Sequence, residues 1–173
     1  MDQYRITPRA SFLDYDSGDY FITVCTKEKK HFFGEIANGV MCFSPIGAFT
    51  DEQLRKVNVF CPNIEIPVFV VMPNHIHAIV CMDVESIYDG NEQRSPNPSL
   101  RANLTCQRHV PTLSRYVSSL KGAVTKYAKT LGLEFAWQSR YYDHLIRGNA
   151  DRNNICEYID NNVARWQTDC FYM

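Results

Sequence analysis

Two apolar segments near the middle of the chain dominate its hydrophobic pattern. They read IEIPVFVVM and HIHAIVCM, and only Pro73 and Asn74 separate them. Runs in which nearly every residue is apolar are typical of strands that are buried on both faces. The pattern therefore predicts two central strands joined by a turn at Pro73-Asn74.

Three other segments have the composition of strands. Asp19 to Thr26 is aromatic and β-branched, which predicts a strand. FFGEIANGVMCFS predicts a hairpin, because Asn38-Gly39 is the dipeptide preferred at the centre of a two-residue type I′ turn. Glu134 to Arg147 is rich in aromatic residues and predicts one long strand.

Apolar residues at helical spacing predict three helices. The first helix signal lies within Pro45 to Phe60, with Thr50 as the candidate N-cap and two acidic residues in the first turn after it. The second runs from Thr112 to Leu131 and stops at Gly132. The third runs from about Asp151 to Trp166.

This order of elements predicts an α+β fold, with an antiparallel sheet of the ferredoxin-like or RRM-like kind and helices packed on it. The 173 residues suit one domain, 1–173. Within it, residues 83–110 are rich in turn formers and lack periodicity, so they are predicted to form a long, mobile loop.

Composition narrows the class of protein. Hydrophobic residues make up 45% and charged residues 21%, which excludes a disordered or collagenous chain. No apolar run is long enough to span a bilayer and no secretory signal is visible, so a cytoplasmic protein is expected. The seven cysteines lack CxxC spacing and are predicted to be reduced thiols, mostly in the core.

Charge is distributed unevenly, although the net charge is only -1. The segment from Arg94 to Arg147 holds nine basic and two acidic residues, so it carries +7 and the rest of the chain carries -8. A basic face of this kind is able to hold a phosphate backbone. A solvated helix surface would explain the same charges.

His75 and His77 stand two apart on a predicted strand. Residues i and i+2 of a strand share one face, so the two imidazoles lie side by side. Neutral imidazole is a common ligand of divalent metals, and unpaired imidazoles in an apolar strand would be costly. The pair predicts half of a metal site, with two hydrogen-bonded structural histidines as the alternative.

Tyr158 and Asn162 are spaced i, i+4 on the last predicted helix, so they project from one side of it. Tyr158 could direct its hydroxyl at a metal-bound phosphate. The alternative is a tyrosine at the boundary between helix and sheet, with no chemical role.

Four motifs together resemble a known family. VMPNHIHAIV, SLKGAVTKYAKTLG, FAWQSRYYDHLIR and EYIDNNVARW, in this order, resemble the single-tyrosine HUH transposases. More narrowly, they are similar to the REP-associated tyrosine transposases. The resemblance covers roughly residues 14–166.

The resemblance implies a metal-dependent nuclease and strand transferase. It implies that His75, His77 and Asn162 bind Mg²⁺ or Mn²⁺, and that Tyr158 is the nucleophile that forms a 5′-phosphotyrosine. One position departs from the family pattern, because Val163 stands where the family has proline. Valine continues a helix, whereas proline would bend it.

The resemblance also implies the partner: single-stranded or hairpin DNA from repetitive palindromic elements, bound by a monomer or homodimer near the nucleoid. Basic side chains could contact phosphates, and aromatic side chains could stack on bases. The candidates for these contacts are Lys121, Lys126, Arg140, Arg147 and Trp137, with Tyr141 and Tyr142 as further stacking residues.

Several alternatives stay open. Tyr116 and Tyr127 are rival nucleophiles, but both fall on the apolar stripe of their helix and are predicted to be core residues. His144 is not expected to pair with Asp143, because neighbours on a strand face opposite ways. An inactive DNA-hairpin binder and a phosphodiesterase that uses water are the rival functions.

Overall fold

The computed structural model describes residues 18–82 and 112–172. The predicted loop at 83–110 and Cys106 lie outside these residues. In chain order, the described elements are β1 (Gly18–Cys25), β2 (Gly34–Ala37), β3 (Val40–Phe43), α1 (Pro45–Arg55), α2 (Val57–Phe60), β4 (Ile64–Val71), β5 (His75–Met82), α3 (Leu113–Thr130), β6 (Tyr142–Leu145) and α4 (Asn149–Asp160). Short 3₁₀ turns occupy Lys27–Lys29 and Trp166–Thr168.

The main sheet has four antiparallel strands in the order β4-β5-β1-β6. With α1 before β4 and α3 before β6, this is the strand order and helix placement of a ferredoxin-like fold. The predicted α+β class is therefore confirmed. A separate two-stranded sheet, β2-β3, is inserted between β1 and α1.

The two faces of the main sheet have different roles. Alternate residues of β1, such as Ile22 and Val24, join the main core with apolar residues of α1 and α3. The opposite face bears His75 and His77, and it is called the site face below. Because strand residues alternate, a single strand supplies both the core and the site.

The two apolar strands differ in position. β5 lies inside the sheet and is almost wholly buried, as predicted, but β4 is an edge strand. The prediction of two central strands is therefore wrong for β4. Pro67 explains the edge position, since proline lacks the N–H that a second neighbour would need. The ladder between β4 and β5 is irregular between Glu65 and Val68, around this proline.

The hairpin and the helix after it confirm one prediction and correct another. Asn38 and Gly39 both have positive φ, as a type I′ turn requires. The N-cap of α1, however, is Ser44, whose hydroxyl accepts a hydrogen bond from the Gly47 amide at 3.1 Å. Thr50 is buried inside the helix and donates to the Ile46 carbonyl, so the predicted N-cap is wrong.

The predicted strand from Glu134 to Arg147 forms only at β6 and at one bridge between Trp137 and Thr26. The Lys121 ammonium donates to the carbonyls of Gln138 and Arg140, which turns these groups away from the sheet ladder. The aromatic composition reflects side chains packed on the core rather than a long strand.

The last helix is shorter than predicted and ends at Asp160, not at Trp166. Asn161 caps it, and its side-chain amide donates to the Glu157 carbonyl at 2.8 Å. Val163 lies beyond the helix, so valine does not continue the helix there. It packs instead on a small cluster that contains Met72, Trp166 and Phe171.

Six cysteines fall within the described residues, and all of them are free thiols. Cys25 is buried, while Cys42 and Cys170 are exposed, so the predicted core position holds only for some. No helix in residues 18–82 and 112–172 is both long and apolar enough to cross a membrane.

Gly47 holds the inserted hairpin close to α1, and replacing it tests that packing. A Cβ at Gly47 would lie 1.9 Å from the Phe33 carbonyl oxygen, so backbone must shift. We expect Gly47→Ala to lower the free energy of unfolding by about 3 kcal/mol. In Gly122→Ala, a Cβ meets nothing within 4 Å, and helix propensity should raise stability by up to about 1 kcal/mol. Urea denaturation measures both, and equal values for the two variants would contradict this packing.

Candidate metal and tyrosine site

The two histidines of the HIH motif lie side by side on the site face, as their spacing predicts. Their ring centroids are 4.5 Å apart. Thr23, the cross-strand neighbour of His77, places its Oγ1 atom 2.9 Å from Nδ1 of His77. Nδ1 of His75 donates to Oδ1 of Asn74 at 2.8 Å. Both rings are therefore held through Nδ1, which leaves each Nε2 atom directed at the site.

Asn74 is held in one orientation by two hydrogen bonds. Its Nδ2 atom donates to the carbonyls of Lys29 and Phe171, at 3.1 Å and 2.9 Å. The amide oxygen must therefore face His75, and an amide oxygen only accepts. His75 consequently carries its proton on Nδ1 and presents a lone pair on Nε2.

Burial keeps both imidazoles neutral. It lowers the pKa of His75 to about 2, with a further decrease from the neighbouring His77, and it lowers the pKa of His77 to about 3. Both side chains are buried. A neutral imidazole has the free lone pair that a metal ligand needs.

Tyr158 lies at the end of α4, directly over the histidine pair. Its hydroxyl is 3.2 Å from Nε2 of His77, and the residue is 39% exposed. Partial burial raises the pKa of Tyr158, and the negative charge of Asp169 raises it further. A hydrogen bond with the Asn162 side chain acts in the opposite direction. The tyrosine is thus both beside the histidines and accessible from solvent.

Asn162 lies at the same site, although it is outside the helix from which its i, i+4 spacing to Tyr158 was predicted. It lies past the C-cap Asn161, in a turn, and its amide N–H donates to the Ile159 carbonyl at 3.2 Å. Its side chain is 2% exposed. The predicted partnership of Tyr158 and Asn162 is present, although the helix ends between them.

Asp169 belongs to the same group of side chains and was not predicted. One ligand atom from each of His75, His77 and Asp169 lies within 4.8 Å of the others. The carboxylate is positioned locally, because Oδ1 accepts a hydrogen bond from the Phe171 amide at 2.7 Å. No motif or spacing marks this aspartate, since only the folded chain brings it to the histidines.

The segment from Asp169 to Tyr172 covers one side of the site. The Phe171 ring lies 4.4 Å from the His75 ring and 5.8 Å from the His77 ring, measured between centroids. The Lys29 ammonium donates to the Cys170 carbonyl at 2.9 Å and lies over the Phe171 ring. These contacts keep Asp169 next to the histidines.

The donor set fits a divalent cation. Two buried polar atoms here have no hydrogen-bond partner among the described residues, Nε2 of His75 and Oδ1 of Asn162. Leaving such atoms unsatisfied costs about 1–3 kcal/mol each, unless a ligand binds them. Two imidazole nitrogens, an amide oxygen and a carboxylate suit a first-row divalent metal or Mg²⁺.

The candidate DNA-binding residues are not brought together. Lys126 is exposed on α3, in the layer on the core side of the sheet, whereas Arg140 and Arg147 are exposed near β6. Lys121 is partly buried and holds the segment before β6. Trp137 is half-buried, packs against the core and donates to the Lys121 carbonyl at 3.0 Å.

Of the two rival nucleophiles, Tyr116 lies in the core, as predicted, whereas Tyr127 is half-buried and lies outside the core clusters. Tyr116 is 5% exposed, and burial strongly raises the pKa of its hydroxyl. Tyr127 stacks on Phe49, with 4.1 Å between ring centroids. His144 is bonded to Asp151, with 2.9 Å between Nε2 and Oδ2.

The buried neutral histidines predict that stability falls in acid. In the unfolded chain a histidine titrates near pH 6.5, whereas in the folded chain the pKa values are about 2 and 3. Below pH 6.5 the unfolded state therefore binds more protons, and stability is lost at up to about 1.4 kcal/mol per pH unit per histidine. Between pH 7.5 and 5.0 we expect a loss of about 4 kcal/mol from the pair.

Urea denaturation in a chelator at the two pH values measures this loss. In His77→Gln the difference should fall to about half, whatever the stability of the variant at pH 7.5. An unchanged difference in that variant would show that other groups cause the pH dependence.

A solved structure shares this fold. The structure of a REP-associated tyrosine transposase bound to a REP hairpin matches this chain with a TM-score of 0.53 and 21% sequence identity, over 96% of this chain and 74% of that one. The resemblance inferred from the motifs is thus confirmed at the level of the fold.

A relative with higher sequence identity shows which family this chain belongs to. An uncharacterized protein of Haemophilus influenzae is 34% identical, and the alignment covers 98% of this chain and 94% of the relative. The chain belongs to the same family as this protein. No family model matches the chain.

Proposed function

We propose that this protein is a metal-dependent single-strand DNA endonuclease and strand transferase, which cleaves and rejoins hairpin-flanked DNA through a 5′-phosphotyrosine. One observation carries the proposal: the Tyr158 hydroxyl lies 3.2 Å from Nε2 of His77, and the neighbouring buried His75 has an Nε2 atom without a partner among the described residues. A structural tyrosine at a helix–sheet boundary would not need unsatisfied ligand atoms beneath it.

The metal would be held by His75, His77, Asn162 and Asp169. Asn162 is the third ligand implied by the family resemblance, and Asp169 adds a carboxylate that the resemblance does not imply. Lewis-acid polarisation of the scissile phosphate is the chemistry that Mg²⁺ or Mn²⁺ supplies when bound. A carboxylate also offsets part of the charge of the cation in a partly buried site.

Tyr158 would act as the nucleophile. Its oxygen attacks phosphorus as its phenolic proton passes to solvent water, and a bond forms between the tyrosine oxygen and the 5′ phosphate. The bond from phosphorus to the 3′ oxygen breaks, and that oxygen takes up a proton to become a free 3′-hydroxyl. Because the phosphotyrosine retains the phosphodiester bond energy, a 3′-hydroxyl can later attack it and restore DNA without ATP.

The substrate class follows from the accessibility of the tyrosine. Tyr158 is 39% exposed above the sheet, so a phosphate must approach it closely, which favours a single strand over a paired duplex. The transposase that shares the fold is bound to a REP hairpin, which supports a hairpin with a single-stranded flank. The exposed Arg140 and Arg147 are the DNA-contact candidates near this side of the molecule.

Covalent capture tests the proposal. The protein is incubated with a library of labelled hairpin oligonucleotides with single-stranded flanks, in Mn²⁺ or Mg²⁺, and separated on a denaturing gel. A labelled band at the mass of the protein plus DNA is expected with metal and absent with chelator. Cleavage in metal without this band would indicate a phosphodiesterase that uses water. Hairpin binding with neither cleavage nor adduct would indicate a DNA-binding protein.

A further inference from the structure

Within residues 18–82 and 112–172, the candidate site is covered on one side and left open on the other. The segment from Asp169 to Tyr172 covers His75 with the Phe171 ring. The Lys29 ammonium holds this segment in place by its hydrogen bond to the Cys170 carbonyl. On the opposite side, β6 is the edge strand next to β1. Among the described residues, this leaves the β6 side as the approach to Tyr158 for a substrate.

Three aromatic rings line this open side. The Phe21 ring stacks on His77 with 5.3 Å between centroids. It also makes edge contacts with the rings of Tyr158 and Tyr142, at 6.2 Å and 6.4 Å. Phe21 thus connects the metal ligand and the nucleophile to a tyrosine on the edge strand.

Register shows which way Tyr142 points. Tyr142 is the cross-strand partner of Thr23, and directly opposed residues in an antiparallel sheet share a face. The Thr23 hydroxyl contacts His77, so this face is the site face. Tyr142 is 49% exposed there, which leaves much of its ring available to a ligand.

The other two candidates for base stacking near β6 pack against the core and do not face the site. Trp137 is packed on the main core and its indole N–H is bonded to the Lys121 carbonyl. Tyr141 also packs on the core, and its hydroxyl lies 3.0 Å from that of Ser114. Of the three aromatic residues with the right sequence position, only Tyr142 opens onto the site.

We propose that Tyr142, supported by Phe21, is the stacking platform for an unpaired base next to the scissile phosphate, so that the single strand enters across the β6 edge. The proposal rests on the proposed function and specifies where its substrate lies. Stacking on a tyrosine is independent of base identity, because every base has a π-face. Arg140, exposed two residues before Tyr142, adds a positive charge for the backbone on that side.

A binding measurement tests the platform apart from cleavage. The probe is a hairpin oligonucleotide with a single-stranded thymidine flank, in which 2-aminopurine replaces each flank position in turn. Binding is measured in a chelator and in the Tyr158→Phe background, so that no strand is cut. We expect 2-aminopurine fluorescence to be quenched at one or two flank positions, as for a base stacked on an aromatic ring.

The variants then locate the stacking residue. Tyr142→Ala should weaken binding roughly ten-fold and remove the quenching, since stacking on one aromatic side chain has an effect of about this size. Tyr142→Phe keeps the ring and should bind within about two-fold of the parent. Tyr172→Ala is the matched control, because Tyr172 is equally exposed, at 49%, but lies on the covered side of the site.

Each outcome tests the stacking role of Tyr142 independently of the proposed nuclease function. Parent-like binding by Tyr142→Ala, or an equal loss in Tyr172→Ala, would overturn the platform even if the wild-type protein forms a covalent adduct. A loss confined to Tyr142→Ala would support it even if no adduct forms, and then only the nuclease function would fail. Circular dichroism melting of each variant identifies a loss that results from unfolding.

Discussion

Tyr158→Phe is expected to abolish the covalent protein–DNA adduct while leaving the fold and DNA binding intact. The change removes one oxygen atom, which contacts Nε2 of His77 at 3.2 Å and is the only proposed bond-forming atom. Removal of an enzyme nucleophile typically lowers the rate by several orders of magnitude, so we expect at least a roughly 1,000-fold decrease. The decrease should appear in adduct yield on a denaturing gel and in strand cleavage alike.

Matched variants separate the nucleophile from other tyrosines. Tyr127→Phe removes a hydroxyl from a ring stacked on Phe49 in the other layer, and should leave adduct formation unchanged. Tyr116→Phe removes a buried hydroxyl that has no partner among the described residues, so adduct formation should again be unchanged. An adduct that persists in Tyr158→Phe and disappears in either control would show that the nucleophile is assigned wrongly.

Loss of either histidine is expected to eliminate divalent metal binding at this site. His75→Gln and His77→Gln each remove a buried imidazole that is already oriented through Nδ1. Changes to groups that merely orient ligands cost 10–100-fold in metal affinity, so removal of a ligand should cost at least about 100-fold. Titration with Mn²⁺, followed by the electron paramagnetic resonance signal of the free ion, measures the affinity directly.

A stability measurement provides a second readout for the same variants. A ligand at 100 times its dissociation constant stabilises the folded state by about 2.7 kcal/mol, so Mn²⁺ should raise the melting temperature of the wild type. This increase should be absent in both histidine variants and present in His31→Gln, which changes an exposed histidine. A wild-type protein that neither binds Mn²⁺ nor shows the increase would contradict the metal site itself.

The same titration distinguishes the two oxygen ligands. Asn162→Ala removes a buried oxygen that has no partner in the described structure, and Asp169→Asn keeps the shape of the side chain but removes its charge. We expect both variants to weaken Mn²⁺ binding. Asn162→Ala lacks the oxygen ligand, and in Asp169→Asn a neutral oxygen attracts the cation less strongly than a carboxylate does. Parent-like affinity in one variant would remove that residue from the ligand set.

Local patterns explain why so much of the site could be predicted. The period of two along a strand places His75 and His77 on one face whatever strand lies beside them. Positive φ at Asn38-Gly39 and the apolar stripe of α3 are likewise properties of a few neighbouring residues. Each of these features depends on contacts within one element or one turn.

Two of the wrong predictions result from contacts with residues far away in the sequence, and a third has a local cause. The N-cap of α1 is Ser44 because its hydroxyl also donates to the Phe32 carbonyl, in a segment that packs beside the helix. The strand expected across 134–147 is interrupted because Lys121, on another element, binds carbonyls that would otherwise pair. Helix α4 stops early because the Asn161 side chain competes for its last carbonyls, a local effect that the apolar stripe concealed.

The sequence by itself determined the ferredoxin-like class, the paired histidines and the helix that carries Tyr158, because each follows from short-range periodicity. Only the tertiary structure decided that Asp169 joins the histidines, since Lys29 and Asn74 hold its segment in place through backbone carbonyls. Burial by that segment and by the sheet keeps the imidazoles neutral. The same segment closes one side of the site and leaves Tyr142 on the open side, an asymmetry that arises only when remote parts of the chain pack together.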